Sequence, residues 1–169
     1  MRADDIAVAY TPPGGWTEFP PQILAGCDEP LADGAPDLRG LWKVVAVDVN
    51  GEPAPADHPA YRHVERIEQC GNRVVVTAAG VVHDMRCDGT PERGVNDVSA
   101  ARGGMRIQVV ATFEDGVHVL RPVGMAGVEV TRRREGDHLV WRYGPAFTAR
   151  LVRLGGPDAQ PSRVGSVPT

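Results

Sequence analysis

At 169 residues, with 18 basic and 22 acidic side chains and a net charge of −4, the chain is long enough for one domain with a sizeable core and too short for two ordinary ones. No basic excess marks it as a nucleic-acid binder, and no apolar run approaches the ~20 residues that span a bilayer. Nucleic acid and membrane insertion are therefore not expected, while oligomerisation is neither required nor excluded.

The N-terminus, Met1-Arg2-Ala3-Asp4-Asp5, is acidic and lacks the apolar stretch of a secretory signal. Three scattered cysteines, Cys27, Cys70 and Cys87, odd in number, predict reduced thiols in a cytoplasmic protein. There is no Cys-x-x-Cys pair, so no metal site is expected. Residues 1–37 are broken by Pro12, Pro13, Gly14, Gly15, Pro20, Pro21, Gly26 and Pro30, which suits neither helix nor strand. Tyr10, Trp16, Phe19, Ile23 and Leu24 are interleaved there. This predicts an extended arm that packs onto the rest of the chain, with a lid over a barrel mouth as one arrangement and a loose tail as the other.

Gly40-Leu41-Trp42-Lys43 then opens a strand that runs through Val49. Turn signals follow at short intervals: Asn50-Gly51, Gly71-Asn72, Asp88-Gly89, Gly103-Gly104, Asp115-Gly116, Glu135-Gly136 and Gly144-Pro145. Valine-rich runs lie between them, with almost no helical periodicity. Residues 38–154 therefore read as an all-β domain, an antiparallel up-and-down barrel of about eight to ten strands. The segment Pro53 to Arg62 is limited to a loop or short helix, and residues 155–169 to a disordered tail.

Two-residue hairpins set which residues face each other. With Gly71-Asn72 as a turn, Gln69 faces Val74 and Ile67 faces Val76. A further turn at Ala79-Gly80 places His63, Glu65, His83 and Met85 on that same inner face. Arg66, Glu68, Arg73, Thr77, Asp84 and Arg86 form a polar outer face. A turn at Asp115-Gly116 sets Phe113 against His118 and Ala111 against Leu120. A turn at Glu135-Gly136 sets Val130 against Trp141, Val128 against Tyr143 and Glu129 against Arg142, with Arg132 inward beside Leu139.

The interior is thus not purely aliphatic. Glu65, Gln69, His83, His118, Arg132 and Tyr143 sit among apolar walls that include Met85, Phe113 and Trp141. Apolar walls with a few convergent polar groups suit a small-molecule site. Polar groups at a wet rim, or satisfying one another, are the alternative. Glu65, His83 and His118 offer groups for proton transfer, but no Gly-x-Ser-x-Gly, Walker loop or dinucleotide fingerprint is present, and no cofactor is expected.

At Gly40-Leu41-Trp42 the chain resembles the calycins, the lipocalins and fatty-acid-binding proteins, in which Gly-x-Trp opens the first strand of an up-and-down barrel. The resemblance covers residues 38–154 as a strand pattern. It implies that Trp42 is a structural plug packed against an arginine of the last strand, here Arg150. The Arg-x-Tyr of fatty-acid-binding proteins ends in Val152 here, and the Gly-x-Gly continuation of haem-bearing nitrobindin-type barrels is missing after Lys43. The resemblance implies binding of a small, mostly apolar molecule with a polar or anionic end, for which Gln69, Met85, Phe113, Arg132, Trp141 and Tyr143 are the candidates. Small lipocalin-like barrels also act as isomerases or cyclases. In that case Glu65, His83 and His118 would be the catalytic groups, without a cofactor. A partner-binding barrel with no ligand is the third reading.

Overall fold

Turn residues and alternation produce strands where the sequence predicts them. In a computed structural model, which describes residues 1–100 and 103–161, these are β1 (Gly40–Val49), β2 (Glu52–Pro53), β3 (Val64–Cys70), β4 (Arg73–Ala78), β5 (Val81–Arg86), β6 (Val95–Val98), β7 (Arg106–Glu114), β8 (Val117–Pro122), β9 (Glu129–Glu135), β10 (His138–Gly144) and β11 (Phe147–Gly155). The pairing order is β5-β4-β3-β1-β11-β10-β9-β8-β7-β6, with β2 attached to β1. Every pair is antiparallel, and the first long strand meets the last. The sheet therefore curls into a nearly closed up-and-down barrel, open only at a seam between β5 and β6. His83 spans that seam, its Nε2 donating to the Val98 carbonyl at 2.8 Å. A single turn of 3-10 helix, Pro59–Arg62, fills the proline-rich segment.

The expected registers hold for β3–β4–β5 and for β7–β8, including Gln69 opposite Val74, Val76 opposite His83 and Phe113 opposite His118. In β9–β10 the turn falls one residue later, at Gly136 and Asp137, because Glu135 still pairs, with His138. The strands slide by two residues relative to the expected register. Trp141 then faces Arg132, and Tyr143 faces Val130. A slide of two preserves every inward side chain. It does remove the expected Glu129–Arg142 pair: Arg142 lies opposite Thr131, and Glu129 bonds Arg121 at 3.1 Å.

The main core fills the barrel with Leu38, Trp42, Ile67, Val74, Leu139 and Leu151 among others. A second core lies outside it, formed by Ala3 and Leu24 of the arm with Cys70, Val75 and Val82. The polar outer face of β3–β5 is therefore not solvated: Arg66, Glu68, Arg73, Thr77 and Asp84 are all buried. An extended, proline-broken segment cannot bond its own backbone, and buried backbone groups need partners. The charged side chains supply them. Arg73 donates to the carbonyls of Ala3, Ile6 and Ala7 at 2.7 to 2.9 Å and pairs with Asp84, which accepts from the Ala9 N–H at 2.8 Å. Glu68 accepts from Ile23 and Leu24, and Arg66 donates to Pro20 beneath the Phe19 ring. The arm lies along the barrel wall, not across its mouth.

The expectation of reduced thiols is overturned. The arm brings Cys27 against Cys70, their Cα atoms 6.2 Å apart across 43 residues of sequence, and the two form a disulfide. Cys87 remains free, with burial pushing its thiol pKa up. At the C-terminus, Gly155 completes β11 and a turn follows, closed by Ala159 N–H to Gly156 O. The remainder of the expected tail, 162–169, lies outside the described residues.

Candidate functional site

Strand alternation turns Glu65 of β3 and Arg132 of β9 inward, four strands apart in the sheet order. Their side chains meet across the barrel: Arg132 Nε and Nη2 each lie 2.9 Å from a Glu65 oxygen. The pair is buried and bidentate, the geometry in which an interior ion pair is best satisfied. His63 Nε2 adds a third contact, 2.8 Å from Glu65 Oε2. Burial alone would raise the Glu65 pKa, but the Arg132 charge and the bonds from His63 and Arg132 hold the carboxyl well below the usual carboxylate range.

Trp141 joins this pair to a cluster of aromatic rings. The His63 ring stacks on it at 4.2 Å, the Arg132 guanidinium sits 5.5 Å from its centre, and Phe147 meets it edge-on at 5.0 Å. Tyr143 stacks on Phe147 at 5.7 Å. Tyr61, Ile107, Phe113, Tyr143 and Phe147 all pack against the core while staying only half-buried; Ile107 and Phe113 lie toward opposite ends of β7, and Tyr143 and Phe147 flank the β10–β11 turn.

His118 flanks Arg132 on the next strand and is fully buried, 5.9 Å from the Phe113 ring. Burial, then the neighbouring Arg132 charge, pushes its imidazole down to about 3, so it is neutral at ordinary pH. Neither of its ring nitrogens has a hydrogen-bond partner among the described residues, and the Trp141 Nε1 has none either. Interior polar groups are rarely left this way.

The remaining candidates fall elsewhere. Gln69 accepts from Leu38 N–H at 2.6 Å and donates to the Pro36 carbonyl at 2.9 Å, fastening the end of the arm. His83 is the seam bridge, where burial lowers its pKa and the Arg132 charge adds to that lowering. Met85 is a buried wall residue. Trp42 is fully buried and donates from Nε1 to the Leu38 carbonyl at 2.8 Å, but the cation over its ring is Arg134, at 5.3 Å. Arg150 is opposite Ala46, half-exposed, and 3.4 Å from Glu135. Gly40 is required beside Trp42, because a Cβ there would meet Arg153 Nε at 2.8 Å and the Gly155 carbonyl at 3.0 Å. His58 and Phe147, which meet at 5.3 Å, escape hairpin reasoning for His58 alone. Phe147 shares the inward alternation of Ala149 and Leu151 and was readable from it.

A separate groove of about 210 Å³ lies between the arm and the seam, bordered by Ile6, Val8, Met85 and Asp97, and shares no lining residue with the Glu65–Arg132 cluster. Among the described residues no group of three or more His, Cys, Asp or Glu side chains is arranged to hold a metal ion, and no helix is long and apolar enough to cross a membrane.

No protein-family model matches the chain, and no curated protein matches it. Among solved structures it is similar to one titled "Human cRBP IV", with 14% identity over 69% of this chain and 97% of that chain, at a TM-score of 0.45. The chain's own topology combines a Gly-x-Trp opening strand, an antiparallel meander, and closure of β1 on β11.

Proposed function

We propose that the barrel binds a small, mostly apolar molecule, its body against half-buried aromatic side chains such as Tyr143 and Phe147 and its polar end turned toward His118 and Trp141. The observation that carries this reading is the set of buried, unpartnered nitrogens of His118 and Trp141 beside half-buried aromatic side chains. Each such group costs about 1–3 kcal/mol when left unpaired, a large fraction of the 5–15 kcal/mol that stabilises a typical domain. A bound polar atom offsets that cost. The nitrogens are enclosed by protein, so the molecule reaches them by turning aside neighbours such as Phe113.

Binding is favoured over isomerase or cyclase chemistry by the state of the three acid–base candidates. Glu65 is committed to Arg132, His83 is bonded at the seam, and His118 is too weak a base at neutral pH. The disulfide supports residence in an oxidising compartment in place of the cytoplasm expected from the cysteine count. Native mass spectrometry of freshly purified protein, together with titration of the neutral dye Nile red, tests the reading. A co-purified small molecule or saturable dye uptake, weakened at least tenfold by Trp141→Ala, is expected. Neither a molecule nor dye uptake would retire it.

A further inference from the structure

We infer that the outer edge of the arm, at Val8 and Tyr10, pairs with the same edge of a second copy of this chain to form a weak two-fold dimer.

From Ala7 to Thr11 one edge of the arm is fastened to the barrel at every second residue. The Ala7 carbonyl accepts from Arg73 Nη2 at 2.9 Å, the Ala9 N–H donates to Asp84 Oδ2 at 2.8 Å, and the Thr11 N–H donates to Asp97 Oδ2 at 2.9 Å. That alternation is the signature of an extended segment, in which the backbone groups of the intervening residues point the opposite way. Val8 and Tyr10 therefore aim their N–H and C=O groups away from the wall, and these bond to nothing among the described residues. Their side chains are 53% and 63% exposed. The open edge is short. Ile6 spends its carbonyl on Arg73, and the Pro12 carbonyl accepts from the Gly15 N–H at 2.9 Å, while proline has no N–H to offer.

The strand that suits this edge is the arm itself. Antiparallel pairing about Ala9 sets Val8 of each copy opposite Tyr10 of the other, and each such pair exchanges both of its N–H···O bonds. A β-branched residue against an aromatic one is a favourable cross-strand pair. Residues 6–11 carry no charge, so no like charges meet along the paired segment. None of the lysines or inward charges that guard an exposed edge stands there either. The inner bonds already hold the arm extended, which lowers the ordering cost of pairing. The two-fold contact uses the open edge of both copies and so stops at a dimer. A contact of this length is smaller than the ~1,200 Å² of a stable complex, and the dimer is accordingly weak. Each copy carries a net charge of −4, so added salt strengthens it by screening the repulsion between the barrels.

Sedimentation velocity on the full chain with its disulfide intact, from micromolar to millimolar protein, tests the inference. The weight-average mass is expected to rise with concentration toward twice that of the monomer, and to rise earlier at high salt. Tyr10→Pro deletes one outward N–H and leaves the Ala9 and Thr11 bonds in place, so it is expected to weaken association at least tenfold. Val8→Lys, which places a charge on the edge of each copy, should do the same even if the proline variant does not fold. Val45→Lys, at an exposed position on β1, should change it less than twofold. A chain that stays monomeric throughout overturns the inference, including one that stays monomeric while binding a synthetic peptide of residues 6–11. A dimer that survives both arm variants overturns it as well.

Discussion

Arg132 and Glu65 make the interior of this barrel electrically quiet, and each depends on the other. Arg132→Leu leaves a buried carboxylate without its partner and is expected to cost about 3–5 kcal/mol, read as a fall in the urea midpoint. The double variant Glu65→Leu with Arg132→Met removes both charges and should recover most of that loss. His118 sets the acid response. Its pKa is about 3 when folded and 6.5 when free, so between those values the unfolded chain binds the extra proton. Stability therefore rises with pH from about 3 to 6.5, by up to about 1.4 kcal/mol per unit, and is level above. Glu65, held below its ordinary 4.5, adds a loss that begins as pH falls through that value. Thermal unfolding from pH 3 to 8 should show both, and His118→Leu should flatten the upper part. That these side chains point inward was legible from alternation alone. Their partnership was not, since hairpin logic links neighbouring strands while Glu65 and Arg132 come from strands four apart. The shear of the barrel likewise brings Arg134, not Arg150, over Trp42.

At the scale of elements, the arm is the departure from expectation. Alternation correctly turned Arg66, Glu68, Arg73 and Asp84 outward, but outward is solvent only if nothing covers that face. Five buried polar side chains on three adjacent strands, with an apolar arm in search of a surface, were the available signal. Removing residues 1–24 should lower stability sharply while changing Nile red affinity less than threefold, because the arm does not cross the mouth. A lid would instead show a large loss of affinity. Reducing the Cys27–Cys70 bond, or replacing both residues with serine, releases a loop constraint of 43 residues worth about 4 kcal/mol in the chain-entropy account. Denaturant melts with and without dithiothreitol measure it. No sequence rule pointed to that bond, for the pair is remote in sequence and only the course of the arm unites it.

For the molecule as a whole, closely spaced turns and two-residue alternation were sufficient for an up-and-down barrel, and the Gly-x-Trp opening located its first strand. The two-residue slide at β9–β10 lay beyond them, because it depends on whether Glu135 pairs or turns, and both choices leave the inward faces unchanged. The arm's anchoring also has a consequence for the order in which the protein is made. Residues 3–9 are synthesised before Arg73 and Asp84, which hold them and emerge only with β4 and β5. Residues 3–9 must wait for the first five of the eleven strands, and Cys27 stays a thiol until Cys70 has been delivered to it. During that interval a premature partner would trap the arm away from its wall. Once closed, the bond fixes the arm to the end of β3.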